Sequence, residues 1–110
     1  MEFSKRTWGW YWTLYKARQF KIKLLYFSAW ESCSLQRHQM RSETWCFLFG
    51  LGEFFCGAYP EVNKHKVQKM LTGRSAYVPL GFWHQYNAIK PTLVLEIQCG
   101  TCEENDIERK

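Results

Sequence analysis

Long hydrophobic runs are missing from this 110-residue chain. The longest, such as Cys46 to Gly52, are far shorter than the roughly 20 residues a membrane-spanning helix requires, so no membrane association is expected. The opening MEFSKRTWGWYW has no continuous apolar core ahead of a small-residue cleavage site, which argues against a secretion signal. Cysteines are few and odd in number (Cys33, Cys46, Cys56, Cys99 and Cys102). Without a signal they read as reduced thiols of a cytoplasmic protein rather than as a disulfide framework. Cys99-Gly100-Thr101-Cys102 has no second CxxC or His pair to complete a zinc ribbon, and no βαβ context for a thioredoxin-like role. Internal repeats, low-complexity tracts and linkers are absent, and no long stretch keeps the 3.6-residue period of an amphipathic helix. The basic residues form neither a tract nor a helix face, which disfavours nucleic acid as a partner.

What is present is a dense apolar content, 46% hydrophobic and 18% aromatic, enough for one globular domain, residues 1–110, with a single core and no disulfide staples. The formal charge of +5 suits a small anionic ligand such as a phosphorylated sugar, although much of it would sit on solvated surface. Short segments with β-prone residues are punctuated by turns. Phe20, Ile22 and Leu24 alternate with Lys21 and Lys23, so each set faces one side of a strand. Further strands are expected over residues 8–15, 36–40, 43–49, 53–56, 65–71, 75–78, 82–86 and 92–99. Nine short strands indicate an all-β sandwich or barrel. The charged tail, Glu103 to Lys110, reads as a frayed end or one helical turn.

Two clusters carry chemistry. In the first, Gln36, His38 and Met40 share one face of an extended segment, and Glu43 opens the next strand, followed inward by Trp45, Phe47 and Phe49. In the second, His84 follows a Pro79-Leu80-Gly81 turn. Imidazole nitrogens, a carboxylate and an amide oxygen suit one divalent ion: zinc, manganese, cobalt, nickel or iron. The expected metal ligands are Gln36, His38, Glu43 and His84.

At these residues the chain resembles the cupin superfamily. Its first motif is G(X)5HXH(X)3,4E(X)6G; here Trp30 replaces the first Gly and Gln36 the first His, while His38, Glu43 and Gly50 fall in register. Its second is G(X)5PXG(X)2H(X)3N; Gly73, Pro79, Gly81 and His84 match, and Asn87 comes one residue early. Within cupins the chain looks most like the type II mannose-6-phosphate isomerase domain, often fused behind a mannose-1-phosphate guanylyltransferase. Arg6-Thr7-Trp8-Gly9-Trp10-Tyr11, Ser34-Leu35-Gln36-Arg37-His38, Arg41-Ser42-Glu43-Thr44-Trp45 and the tail Glu104-Asn105-Asp106-Ile107-Glu108-Arg109 carry that likeness. Two positions depart from it. His38-Gln39-Met40 stands where the family usually has three histidines, and Ala29-Trp30 replaces a Pro-Gly turn. No Gly-rich nucleotide loop is present, so a sugar-nucleotide reaction is not expected of this polypeptide.

The resemblance implies a double-stranded β-helix (jelly-roll) barrel and interconversion of mannose 6-phosphate and fructose 6-phosphate through an enediol. That chemistry needs an electrophile, a base and a cation for the phosphate. Arg41 is the preferred catalytic cation, with Lys21 and Lys23 on the face expected to line the cavity and Glu96 the candidate base. A cupin that binds metal or sugar without turnover, and then an iron-dependent oxygenase, are the alternative expectations. The aromatics of Trp8 to Trp12 suggest pairing into a homodimer.

Overall fold

The alternation seen in the sequence becomes strand β3, Phe20–Phe27, in which Lys21, Lys23, Leu25 and Phe27 are buried and the residues between them half-buried. The structure, a computed structural model, describes residues 2–103 and 105–110, so Glu104 of the tail motif lies outside the described residues. Eight other strands surround β3: β1 (Glu2–Arg6), β2 (Gly9–Ala17), β4 (Gln36–Arg37), β5 (Arg41–Gly57), β6 (Val67–Leu71), β7 (Ser75–Val78), β8 (Trp83–Gly100) and β9 (Glu108–Arg109). All belong to one sheet with a main path β1-β2-β3-β8-β4-β9, and β5 joins β6, β7 and β8. Among the described residues the one helical element is a 3-10 turn at Lys64–Lys66.

The backbone of the fold is a long antiparallel ribbon in which β5 pairs with β8 from Arg41↔Gly100 to Gly57↔Trp83. A straight strand would separate residues 47 and 54 by roughly 23 Å. The Phe47 and Phe54 rings are instead 6.2 Å apart, so the ribbon folds back on itself. Register shifts between Phe47 and Gly52 mark the bend. Gly50 lies within it at φ +126°, where a Cβ would come within 2.7 Å of Thr92 Cα; the glycine that closes the first motif is there because the bend leaves no room for a side chain. The shift also turns Phe49 outward to 46% exposure, correcting the expectation that it follows Trp45 and Phe47 into the barrel.

Three neighbouring strands build the interior in register. Lys21, Gln98 and Glu43 form one rung, Lys23, Glu96 and Trp45 the next, and Leu25, Val94 and Phe47 the third. The interior therefore grades from charged to apolar. Its apolar end closes on Phe27, Phe54 and Tyr86, whose rings meet those of Trp45 and Phe47 at 5.1–6.4 Å. Burying ions at the other end costs free energy unless they are paired, so the charged rungs are weak contributors to stability and the natural place to look for a site.

The tail is neither frayed nor helical in its final residues. Strand β9 pairs with β4, Arg37 donates to Glu108 Oε1 through Nε and Nη2 at 2.9 and 2.7 Å, and the Lys110 amide donates to Leu35 O.

Trp30, the residue that replaces the first motif glycine, has φ +66° and is 77% exposed. A left-handed backbone costs a β-carbon-bearing residue roughly 1–2 kcal/mol, and so exposed an indole gives little packing in return. Trp30→Gly is expected to stabilise the fold by about 1 kcal/mol, read as a higher urea midpoint at unchanged slope. An unchanged or lower midpoint would count against the strain.

Candidate metal centre

Alternation along β5 points Arg41, Glu43 and Trp45 into the barrel, and β8 brings His84 to face them. His38 follows β4, and its carbonyl accepts the Gly81 amide at 2.7 Å, tying the first cluster to the turn ahead of His84. His38, Glu43 and His84 are all buried, and one ligand atom from each lies within 4.8 Å of the others.

The hydrogen bonds preset these atoms. His38 Nδ1 lies 2.7 Å from Asp106 O; a carbonyl only accepts, so Nδ1 carries the proton and Nε2 turns its lone pair to the site. The Asp106 carboxylate in turn accepts the Gln39 and Met40 amides at 3.0 and 2.8 Å. Met40 itself is 53% exposed, outside the donor cluster. Glu43 Oε1 accepts Trp45 Nε1 at 3.0 Å, and Oε2 accepts Arg41 Nε at 2.9 Å. Arg41 Nη2 also donates to His38 Nε2 at 3.1 Å. His84 Nδ1 faces Phe82 O at 3.4 Å, while its Nε2 lies 3.4 Å from Glu43 Oε1 and makes no aligned hydrogen bond among the described residues.

Burial pushes the Glu43 carboxyl up, but His84, His38 and Arg41 together hold it well below the usual carboxylate range. Burial lowers His38 to about 4, against the pull of Glu43, so it is neutral. Burial also opposes a charge on His84, but the Glu43 carboxylate beside it wins and raises it. Two imidazole nitrogens and an ionised carboxylate thus converge on one point, and the buried His84 Nε2 has no aligned hydrogen-bond partner among the described residues. That donor set fits a divalent cation, and these three residues are the ones that would hold it. Gln36 is the β-ladder partner of His84 and lines the cavity together with His38.

The cavity has a volume of about 660 Å³, within the usual range for small-molecule sites. Gln36, His38, Arg41, Trp45, Lys23 and Glu96 line its inner part. Lys23 places Nζ 4.2 Å from the Tyr11 ring centroid. Lys21 is buried, in the rung with Gln98 and Glu43, and is not among the described lining residues. Sequence reasoning missed Asp106 and Trp45 as a hydrogen-bond donor to Glu43. Trp45 was accessible from its position two residues beyond Glu43 on the same face; the docking of Asp106 had no local signal.

Glu96 is buried and accepts Gln98 Nε2 at 2.6 Å through Oε1. Burial and the Glu43 charge raise it to about 7, against Lys23 and Arg41. The folded state therefore keeps a proton that the unfolded chain releases near 4.5, and stability falls as pH rises from there to about 7. His38 has the opposite slope: the unfolded chain gains a proton below 6.5 that the folded state takes up near 4, so stability falls as pH drops through that window. Comparison with Glu96→Gln isolates the first effect. In chelator, the variant is expected to gain about 3 kcal/mol on wild type between pH 4.5 and 7.5 by urea unfolding. A pH-independent difference would contradict the raised carboxyl.

Comparison with known proteins identifies the family and the fold. The mannose-6-phosphate isomerase C-terminal family matches residues 2–110. Among curated proteins none matches significantly. Among solved structures, KdgF from a Halomonas species superposes with a TM-score of 0.77 at 10% identity, over 93% of this chain and 90% of that one. The cupin domain of Cnp3 from Schizosaccharomyces pombe gives 0.73 at 15% identity, over 83% and 64%. A conserved protein with a double-stranded β-helix domain from Klebsiella pneumoniae gives 0.74 at 12%, over 88% and 75%. At such identities they show the fold, a double-stranded β-helix. With the family match spanning the described barrel from β1 to β9, the chain is a cupin and belongs to the mannose-6-phosphate isomerase C-terminal family.

Proposed function

We propose that this protein is a metal-dependent sugar-phosphate isomerase that interconverts mannose 6-phosphate and fructose 6-phosphate. The observation that carries this reading is a cavity lined both by His38, whose ligand atom lies within 4.8 Å of those of buried Glu43 and His84, and by a second buried carboxyl, Glu96, poised near neutrality. A divalent ion held by the first three would polarise the sugar's carbonyl and hydroxyl oxygens. Glu96 supplies what remains: a carboxylate that takes the proton from one carbon and, as the acid, returns it to the neighbour. A group near pH 7 suits both halves. Gln98 fixes its orientation through the hydrogen bond to Oε1. Buried Lys23 and Arg41 line the same inner wall and favour negative charge as the enediol forms.

The test is to load the protein with manganese, zinc, cobalt or nickel, supply mannose 6-phosphate and measure fructose 6-phosphate. Turnover is expected, and Glu96→Gln should lower kcat by at least about 100-fold. No turnover with any of the four would reject the isomerase and leave a cupin that binds without reacting.

A further inference from the structure

The cations of the cavity divide by depth. Lys23 and Arg41 are buried, whereas Lys5, Arg6 and Arg109 line the same cavity and are exposed, placing them at its mouth. They arrive from far apart: Lys5 and Arg6 on β1 and Arg109 on β9, the two ends of the sheet's main path, which the curl of the barrel brings to one opening.

The inner cations are committed. Arg41 donates to Glu43 and His38, and Lys23 sits over the Tyr11 ring. The mouth differs. Arg6 Nη2 donates to Tyr11 Oη at 3.2 Å and Arg109 Nε to Ser34 Oγ at 3.3 Å, both neutral acceptors. Neither arginine has a carboxylate partner among the described residues. Arg37, the β-ladder partner of Glu108 and not among the lining residues, shows the contrast, with two of its nitrogens on the Glu108 carboxylate. The hydroxyls steady the two mouth guanidinium groups and leave their remaining N–H donors for a ligand. Such forks match phosphate oxygens better than a lysine ammonium does.

We propose that Arg6 and Arg109, with Lys5 beside them, seat the phosphate of a phosphorylated sugar at the mouth of the cavity, while its reacting carbons lie against the inner wall. This rests on the sugar-phosphate reading above and sets the phosphate contact at the rim. It makes the phosphate the handle for selecting substrate and leaves Arg41 to the chemistry.

Calorimetric titration of mannose 6-phosphate and of mannose into metal-loaded wild type, Arg6→Gln, Arg109→Gln and Arg109→Lys tests the seat. Arg18→Gln, in the exposed β2–β3 turn, serves as the control for net charge. Each glutamine variant is expected to weaken mannose 6-phosphate binding about tenfold or more, with mannose binding and the Arg18 variant unchanged and Arg109→Lys intermediate. Should Arg109→Gln fail the thermal-unfolding check, Arg6→Gln and Arg109→Lys decide. Losses below about twofold, equal losses for mannose, or a wild type that does not prefer the phosphorylated sugar would overturn the proposal. Binding that depends on both arginines without turnover keeps the seat and rejects the isomerase. Turnover with KM unchanged in the arginine variants does the reverse.

Discussion

The wild-type protein is expected to bind one divalent metal ion stoichiometrically, and Glu43→Gln to lose it, with affinity reduced by more than about 100-fold. The bound reflects that losing an outer hydrogen-bond partner of a ligand already costs roughly 10–100-fold, and Glu43 is the sole carboxylate of the donor set. The amide keeps the size of the side chain but removes the charge that draws the site's cations together. His84→Ala is expected to reach the same result by deleting the orphaned nitrogen. Elemental analysis after dialysis against excess zinc or manganese reads the effect directly. The glutamine variant also leaves the buried Arg41 without its anion, a loss of roughly 3–5 kcal/mol. Circular dichroism and the unfolding midpoint must therefore accompany the metal content. A folded Glu43→Gln protein that keeps stoichiometric metal would remove Glu43 from the site.

The two variants also separate what was legible in the sequence from what was not. The spacing of Gln36, His38, Glu43 and His84 suggested a common site because strand alternation converts sequence offsets into faces, and the structure brings the three titratable members within 4.8 Å. The same alternation put Lys21 and Lys23 on one face, which the structure shows to be the buried one. It failed where the pleat is interrupted. The shifts between Phe47 and Gly52 hid the continuity of β5, so one strand read as two and Phe49 was assigned the wrong face. Residues 82–86 and 92–99 likewise read as two strands where β8 runs unbroken from Trp83 to Gly100. Strand β1 and the two-residue β9 were missed because EFSKR and Glu108-Arg109 carry no apolar alternation; they pair through backbone groups that side-chain patterns do not report. Asp106 escaped for the same reason, since its carbonyl, not its side chain, orients His38. The motif glycines were more informative: Trp30 holds a left-handed backbone where the motif has its first glycine, and Gly50 fits a bend that excludes a Cβ.

Arg41→Met should move metal affinity and turnover in opposite directions. The guanidinium donates to Glu43 Oε2 through Nε and to the His38 Nε2 lone pair through Nη2, the same two atoms a metal would need. A cation entering the site must displace a fixed positive charge about 3 Å from the donors, and like charges so close repel strongly even when screened. Removing it frees both atoms. Trp45 Nε1 remains on Glu43 Oε1, and the Asp106 carbonyl still holds His38 Nδ1, so the donors keep their orientation. The expected result is metal binding about tenfold tighter or more, followed by cobalt absorption or competitive chelation, and faster uptake. Turnover of mannose 6-phosphate should fall by about 100-fold or more, because the cation that offsets the enediol charge is gone. Arg41→Lys, which keeps the charge but not the fork, should fall between the two in affinity. Weaker metal binding in Arg41→Met would instead mean that the guanidinium assembles the donor set, and that its hold on Glu43 outweighs the repulsion it exerts on an incoming ion.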